Sequence, residues 1–143
     1  MGCSEVSFVL LDTQVLVWLM QGVDRLSPAK RERIQQAANR NELGIAAITP
    51  WEIAMLTAKG RLALPMDVGE WIDAAVHGFG IVVVPLSPEI SVASNRLPGD
   101  FHADPADRMI VASARHLNAL LVTEDTAILA YADAGHVQAV SAS

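Results

Sequence analysis

Four carboxylates, far apart along the chain, carry the chemistry open to this sequence. They are Asp12 in Leu10-Leu11-Asp12-Thr13, Glu52 in Thr49-Pro50-Trp51-Glu52, Asp107 in Asp104-Pro105-Ala106-Asp107-Arg108, and Asp125 in Val122-Thr123-Glu124-Asp125. Asp12 and Asp125 closely follow apolar runs of strand length, while Glu52 and Asp107 fall in the first turn of expected helices. In a parallel sheet, groups at strand ends and helix starts face one crevice. Acids gathered there repel one another and favour a hard divalent cation held by oxygen, Mg²⁺ or Mn²⁺. Such a centre serves phosphoryl transfer or phosphodiester hydrolysis. Taken singly, each acid has a plainer reading. Asp12, Asp104 and Asp125 can each begin a helix, Glu52 can close a capping box with Thr49, and Asp107 is a favourable first-turn charge. The coincidence of four argues for a site.

The elements that must position these acids alternate. Short apolar runs at residues 8–11, 43–48, 81–84 and 119–122 read as strands, and residues 137–140 as a short last one. Between them, start signals recur. Asp12-Thr13 opens a helix, Ser27-Pro28 opens another to about residue 41, and Thr49-Pro50 places Thr49 at N-cap and Pro50 at N1. That third helix ends at Lys59-Gly60. Further helices are expected over residues 65–77, 88–97, 105–118 and 126–132, with a loop at 98–103 marked by Pro98-Gly99. The β-α-β-α alternation, without a hairpin signal, predicts an α/β fold: a three-layer α/β/α sandwich with a mostly parallel central sheet.

Composition permits this. The 143 residues make about one domain, residues 1–143, with 52% hydrophobic and 18% charged residues. Ala, Val, Ile and Leu supply the core, as in strands covered on both faces. Ten basic against sixteen acidic residues leave a net charge of −6. That excludes the electrostatic footprint of a passive nucleic-acid binder, although not a nuclease whose acidic site is neutralised by metal. The one cysteine, Cys3, allows no internal disulfide and fits a reducing cytoplasm. Met1-Gly2-Cys3-Ser4 invites a myristoylation reading, but Val6 stands where Ser or Thr is needed. No secretory signal or membrane-spanning run is expected, so no membrane partner either.

The ordered set resembles a family. Residues 10–18, Trp51-Glu52-Ile53-Ala54 with Lys59-Gly60-Arg61-Leu62, residues 102–112, and Val122-Thr123-Glu124-Asp125 are similar to PIN domains, and more closely to the VapC-type toxin ribonucleases of toxin–antitoxin pairs. The resemblance covers about residues 8–133. It implies a metal-dependent endoribonuclease with a Rossmann-like sandwich, the acidic quartet falling on Asp12, Glu52, Asp107 and Asp125. Mg²⁺, or Mn²⁺, would be held by Asp12, Asp107, Asp125 and the additional acid Asp104, with Asp107 favoured over Asp104 as a direct ligand. Thr13 and Thr123 are candidates to position water or phosphate. Gln14 stands where this branch often has His. The resemblance also implies an RNA substrate, a homodimer and a cognate antitoxin protein, whose docking groove is expected on the helices at 29–38 and 52–62.

Other residues invite plainer expectations. Trp18 and Trp51 read as packing residues, Arg108 as the partner of a nearby carboxylate, and His102 as a loop residue close to the site. Lys59 and Arg61 are candidates for an RNA-facing groove. A phosphoacceptor receiver domain is disfavoured because Leu11 precedes a lone Asp12 and no Lys follows Lys59. A haloacid-dehalogenase-type phosphatase is disfavoured by Gln14, where a second Asp is needed. The standing alternative is a catalytically silent PIN-like RNA-binding or scaffold domain.

Overall fold

Strand β1 (Val9–Leu11) is buried on both sides, so its alternating side chains feed two separate cores. Val9 and Leu11 join one, and Leu10 the other. The same division runs through β2 (Leu43–Ala46) and β4 (Leu120–Thr123): Leu43, Ile45 and Val122 point one way, Ala46 and Leu121 the other. Continuously apolar strands of this kind require helices on both faces. The structure, a computed structural model describing residues 8–143, meets that requirement. Cys3 and the Gly2 motif lie outside the described residues.

The sheet is five-stranded in the order β3-β2-β1-β4-β5, with β3 at Val82–Val84 and β5 at Ala139–Ser141, and every pairing is parallel. Helices α1 (Thr13–Gln21), α2 (Pro28–Asn39) and α4 (Val68–Phe79) cover one face. Helices α5 (Pro88–Ala93), α6 (Pro105–Leu117) and α7 (Thr126–Asp133) cover the other. Helix α3 (Ile48–Ala58) serves both, sending Ile53 into the first core and Ile48 toward the second. The chain winds outward from β1 through β2 to β3, then returns to place β4 on β1's other side. The winding therefore reverses between β1 and β4, where a parallel sheet opens a crevice at its carboxyl edge. Among the described residues no helix is long and apolar enough to cross a membrane.

Most start signals act as read. Ser27 and Ser87 cap α2 and α5 through their hydroxyls, each with Pro at the first position. Three differences have identifiable causes. Helix α3 begins at Ile48, so β2 ends early and Thr49-Pro50 lies inside the helix rather than at its cap. Thr49 is fully buried with its side chain turned to Thr13 on α1, and α3 carries no side-chain cap bond. Helix α4 begins at Val68, because Asp67 accepts from the amides of Gly69 and Glu70 and outcompetes Pro65 as a start. Helix α5 stops at Ala93, and the backbone carbonyl of Ser94 is taken by the Arg108 side chain.

Candidate metal centre

The crevice at the β1/β4 switch is an open cleft of about 540 Å³ lined by Asp12, Glu52, Asp104, Asp107 and Asp125, with Thr13, Gln14, Trp18, Arg25, Leu56 and Glu124. All five acids singled out in the sequence therefore meet. Three helices aim their first turns at the cleft, each capped by one of these acids: Asp12 caps α1, Asp104 caps α6 and Asp125 caps α7. Asp107 occupies the first turn of α6. Helix N-termini carry partial positive charge, which makes this concentration of carboxylates tolerable. For Asp12, Asp104 and Asp125, capping and site-building go together, which is why each of the three alone reads as a cap.

Each buried oxygen has a defined donor. Asp12 is 8% exposed; its Oδ1 accepts from the Thr13 amide at 2.8 Å and its Oδ2 from the Thr123 hydroxyl at 2.6 Å. Thr123 in turn accepts from the Asp125 amide at 3.0 Å, which ties the end of β4 to both acids. Asp125 Oδ1 accepts from the amides of Ala127 and Ile128. Glu52 Oε1 accepts from the Thr13 hydroxyl at 2.6 Å. The single proton of that hydroxyl is then committed, so Thr49, 3.1 Å away, donates to Thr13. Thr13 and Thr123 thus hold carboxylates in place. As a capping box, the Thr49–Glu52 reading is overturned: Glu52 leans on α1 instead.

The charges show what the cleft lacks. Asp107 is pushed up to about 8 by burial, then by Asp12, Asp104, Asp125 and Glu52. Burial also raises Asp12, against the bonds from Thr123 and Thr13, with Asp125 and Asp104 adding to the rise. Glu52 is raised by burial, opposed by the Thr13 bond and reinforced by Asp12 and Asp104. Every charged neighbour acting on these three acids is another carboxylate. A compact set of hard oxygen donors with unrelieved repulsion fits a divalent cation such as Mg²⁺ or Mn²⁺.

Some residues fall elsewhere than expected. Trp51 is 58% exposed rather than packed inside, because α3 turns it away from Ile53 and the core. Among the described residues Arg108 pairs with no carboxylate; it donates to the carbonyls of Ser94, Phe101 and His102 at 2.9–3.0 Å. Lys59 and Arg61 are exposed and do not line the cleft. Arg25 does, lying 5.5 Å above the Trp18 ring. Nothing local marks Arg25 in the sequence, since it sits in an α1–α2 connector brought to the cleft only by the fold. Helix α3 packs chiefly against α6, α4 and α1, so its flanking apolar groove is walled by Leu62, Leu64 and Val68 rather than by α2. His102 also reaches the site, its Nε2 lying 3.3 Å from Asp107 Oδ2. Its sequence signal was proximity to Asp104-Pro105-Ala106-Asp107.

Comparison with known proteins agrees with this geometry. A family model described as PIN domain matches residues 9–134. Ribonuclease VapC22 of Mycobacterium tuberculosis is 35% identical over 117 residues, spanning 82% of this chain and 86% of that protein. Among solved structures, VapBC2 from Rickettsia felis bound to a promoter DNA fragment superposes with a TM-score of 0.65 at 16% identity, covering 94% of this chain and 98% of the matched one. DNA-bound VapBC from Salmonella typhimurium gives a TM-score of 0.66 at 17% identity, covering 95% and 98%. At such identities the structural likeness speaks for the fold.

Proposed function

Since this chain belongs to the PIN-domain family, we propose that it is a metal-dependent endoribonuclease and the toxin of a toxin–antitoxin pair. The observation that carries the reading is the five-acid cleft in which every charge acting on Asp107 is another carboxylate. The 35% identical relative named a ribonuclease supports RNA as substrate, and the VapBC complexes among the structural neighbours support an antitoxin partner.

Asp12, Asp104, Asp107 and Asp125 would hold Mg²⁺ or Mn²⁺. A divalent cation there supplies Lewis-acid polarisation of a phosphodiester oxygen and makes water acidic enough to attack near neutral pH. The chain's own residues do the rest. Glu52, braced by the Thr13 hydroxyl and raised by burial, orders the attacking water and accepts its proton. The water oxygen bonds to phosphorus as the bond from phosphorus to the leaving ribose oxygen breaks, and that oxygen takes up a proton from solvent. Thr123 and the Thr13 amide keep Asp12 from swinging as charge in the cleft changes. Arg25, at the rim, is placed to meet the RNA backbone and offset the chain's net charge of −6.

The test is cleavage of total cellular RNA by purified protein freed of any partner, with Mg²⁺, Mn²⁺ or EDTA, beside Asp107→Asn. Fragments that require both metal and Asp107 are expected. No cleavage under either metal would favour the silent binding domain instead.

A further inference from the structure

On the ribonuclease reading above, we infer that Arg25, held over the face of Trp18, grips an RNA backbone phosphate beside the scissile one, with Trp18 as the positioning residue of this one-phosphate subsite. Among the described residues that line the cleft, Arg25 is the one base, set among six carboxylates. A guanidinium in such company ordinarily closes onto a carboxylate as a forked pair. Arg25 does not: among the described residues it enters no ion pair. Its contact is the Trp18 ring, whose centroid lies 5.5 Å from the guanidinium carbon, within the range of a cation–π interaction. The donors of the guanidinium are therefore left to an anion that the substrate brings.

The connector that carries Arg25 is pinned at several points. Gly22 ends α1 in the left-handed conformation, φ 69°, with its amide donating to the Trp18 carbonyl. Arg31 of α2 donates from Nη2 to the Val23 carbonyl at 3.1 Å. Leu26, beside Arg25, is buried, and the Ser27 amide donates to the Ala142 carbonyl at 2.9 Å. Trp18 itself packs against the first core. Arg25 thus leaves a braced backbone and lies on a braced ring, so little freedom remains to be lost when an anion binds. Position along α1 selects the phosphate. Asp12 caps α1 and Trp18 follows six residues later, about 9 Å along the axis at about 1.5 Å per residue. The scissile phosphate belongs at the Asp12 end of that span, where the acids meet, and Arg25 above Trp18 meets a neighbouring phosphate. Because the contact is to the backbone, it is made whatever the base sequence.

The experiment is fluorescence anisotropy of a short, fluorescein-labelled RNA of random sequence, titrated with the purified protein at several salt concentrations. Ca²⁺ replaces Mg²⁺, because its longer and looser oxygen coordination disfavours in-line attack and keeps the strand whole. Arg25→Ala is expected to bind about 10-fold more weakly. It should also reduce the slope of log affinity against log salt by about 0.7, the share of one single-strand phosphate contact. Arg25→Lys keeps the charge and the slope but loses the forked donors, and binds with intermediate affinity. Trp18→Leu, still apolar toward the core, weakens binding as well. Adding Arg25→Ala to it costs less than Arg25→Ala alone, since the guanidinium has already lost its aim. Unchanged affinity and slope in Arg25→Ala would overturn the proposal, and strictly additive losses would remove Trp18 from it. RNA bound with this dependence on Arg25 yet never cleaved under Mg²⁺ would sink the nuclease reading and leave the Arg25 contact standing. A parent that binds no RNA would overturn both.

Discussion

At the scale of the residue, the site stores a conflict that pH should expose. Asp107 has an ordinary value of 3.8 and rises to about 8 through burial and four neighbouring acids. A carboxyl raised on folding binds its proton more tightly in the folded state. The metal-free protein therefore carries no penalty below about pH 4, loses stability as pH climbs toward about 8, and bears the full cost above that. Asp12 and Glu52 shift in the same direction. The melting temperature of the metal-free protein is thus expected to fall between about pH 5 and about pH 8, with Asp107→Asn flattening the slope and melting about 4 °C higher at the upper end, the shift ~1 kcal/mol produces at this size. A parent melting temperature constant over that range would contradict the electrostatics. The same shift requires metal loading at neutral pH to release protons. Titration calorimetry in buffers of different ionisation enthalpy measures this, and heats independent of buffer would count against it. Thr13→Val tests the brace on Glu52. It also strands the fully buried Thr49 hydroxyl, at a cost of about 1–3 kcal/mol that urea unfolding would read.

At the scale of the element, the loop between α5 and α6 carries His102 and Asp104 to the cleft, and Arg108 is what shapes it. Its guanidinium satisfies three carbonyls, from the end of α5 and from Phe101 and His102. Tyr131 adds a hydroxyl bond to the Pro98 carbonyl and a ring contact to Phe101. Arg108→Ala is expected to destabilise the protein by about 2 kcal/mol, because carbonyls lose a charged donor, and to weaken Mn²⁺ binding as the loop loosens. Unchanged Mn²⁺ affinity would show that the loop holds its shape without Arg108. This bracing was invisible in the sequence, where Arg108 read as a partner for a carboxylate. The acids themselves were legible because capping signals and apolar runs are local: Asp12 and Asp125 sit at strand-to-helix junctions, and Asp104 stands before the proline that opens α6. Helix α3 misled for the opposite reason. Thr49-Pro50 has the local form of a cap, but a hydroxyl on another helix claims Thr49, and such a contact between Thr13 and Thr49 leaves no mark in either segment. Trp51 misled likewise, since an aromatic residue beside an apolar run does not reveal which side of its helix meets the core.

At the scale of the whole molecule, the surface left exposed by this packing bears on assembly. Helices α3, α6 and α5 are packed neighbours, and their outer side exposes Trp51 on α3 and Val92, 48% exposed, on α5. Between α3 and α6 lies an apolar groove of about 380 Å³ formed by Ile48, Trp51, Met55, Pro105, Ala106 and Met109, with Glu52 and Asp104 at its rim. A large aromatic side chain beside such a groove is the kind of anchor that dominates protein interfaces. In a twofold dimer the same patch serves both subunits, so Trp51 of each could enter the groove of the other. Because Glu52 and Asp104 also line the acidic cleft, pairing there would set the two clefts beside their interface and narrow the approach for RNA. The purified protein, free of any partner, is therefore expected to be a dimer at micromolar concentration by light scattering. Trp51→Arg should yield a monomer with its far-ultraviolet spectrum intact, since the side chain is outside the core. A parent that is already monomeric would reject self-association through this face. A dimer indifferent to Trp51→Arg would move the interface elsewhere, with the exposed Val82 and Val83 of edge strand β3 the next surface to test.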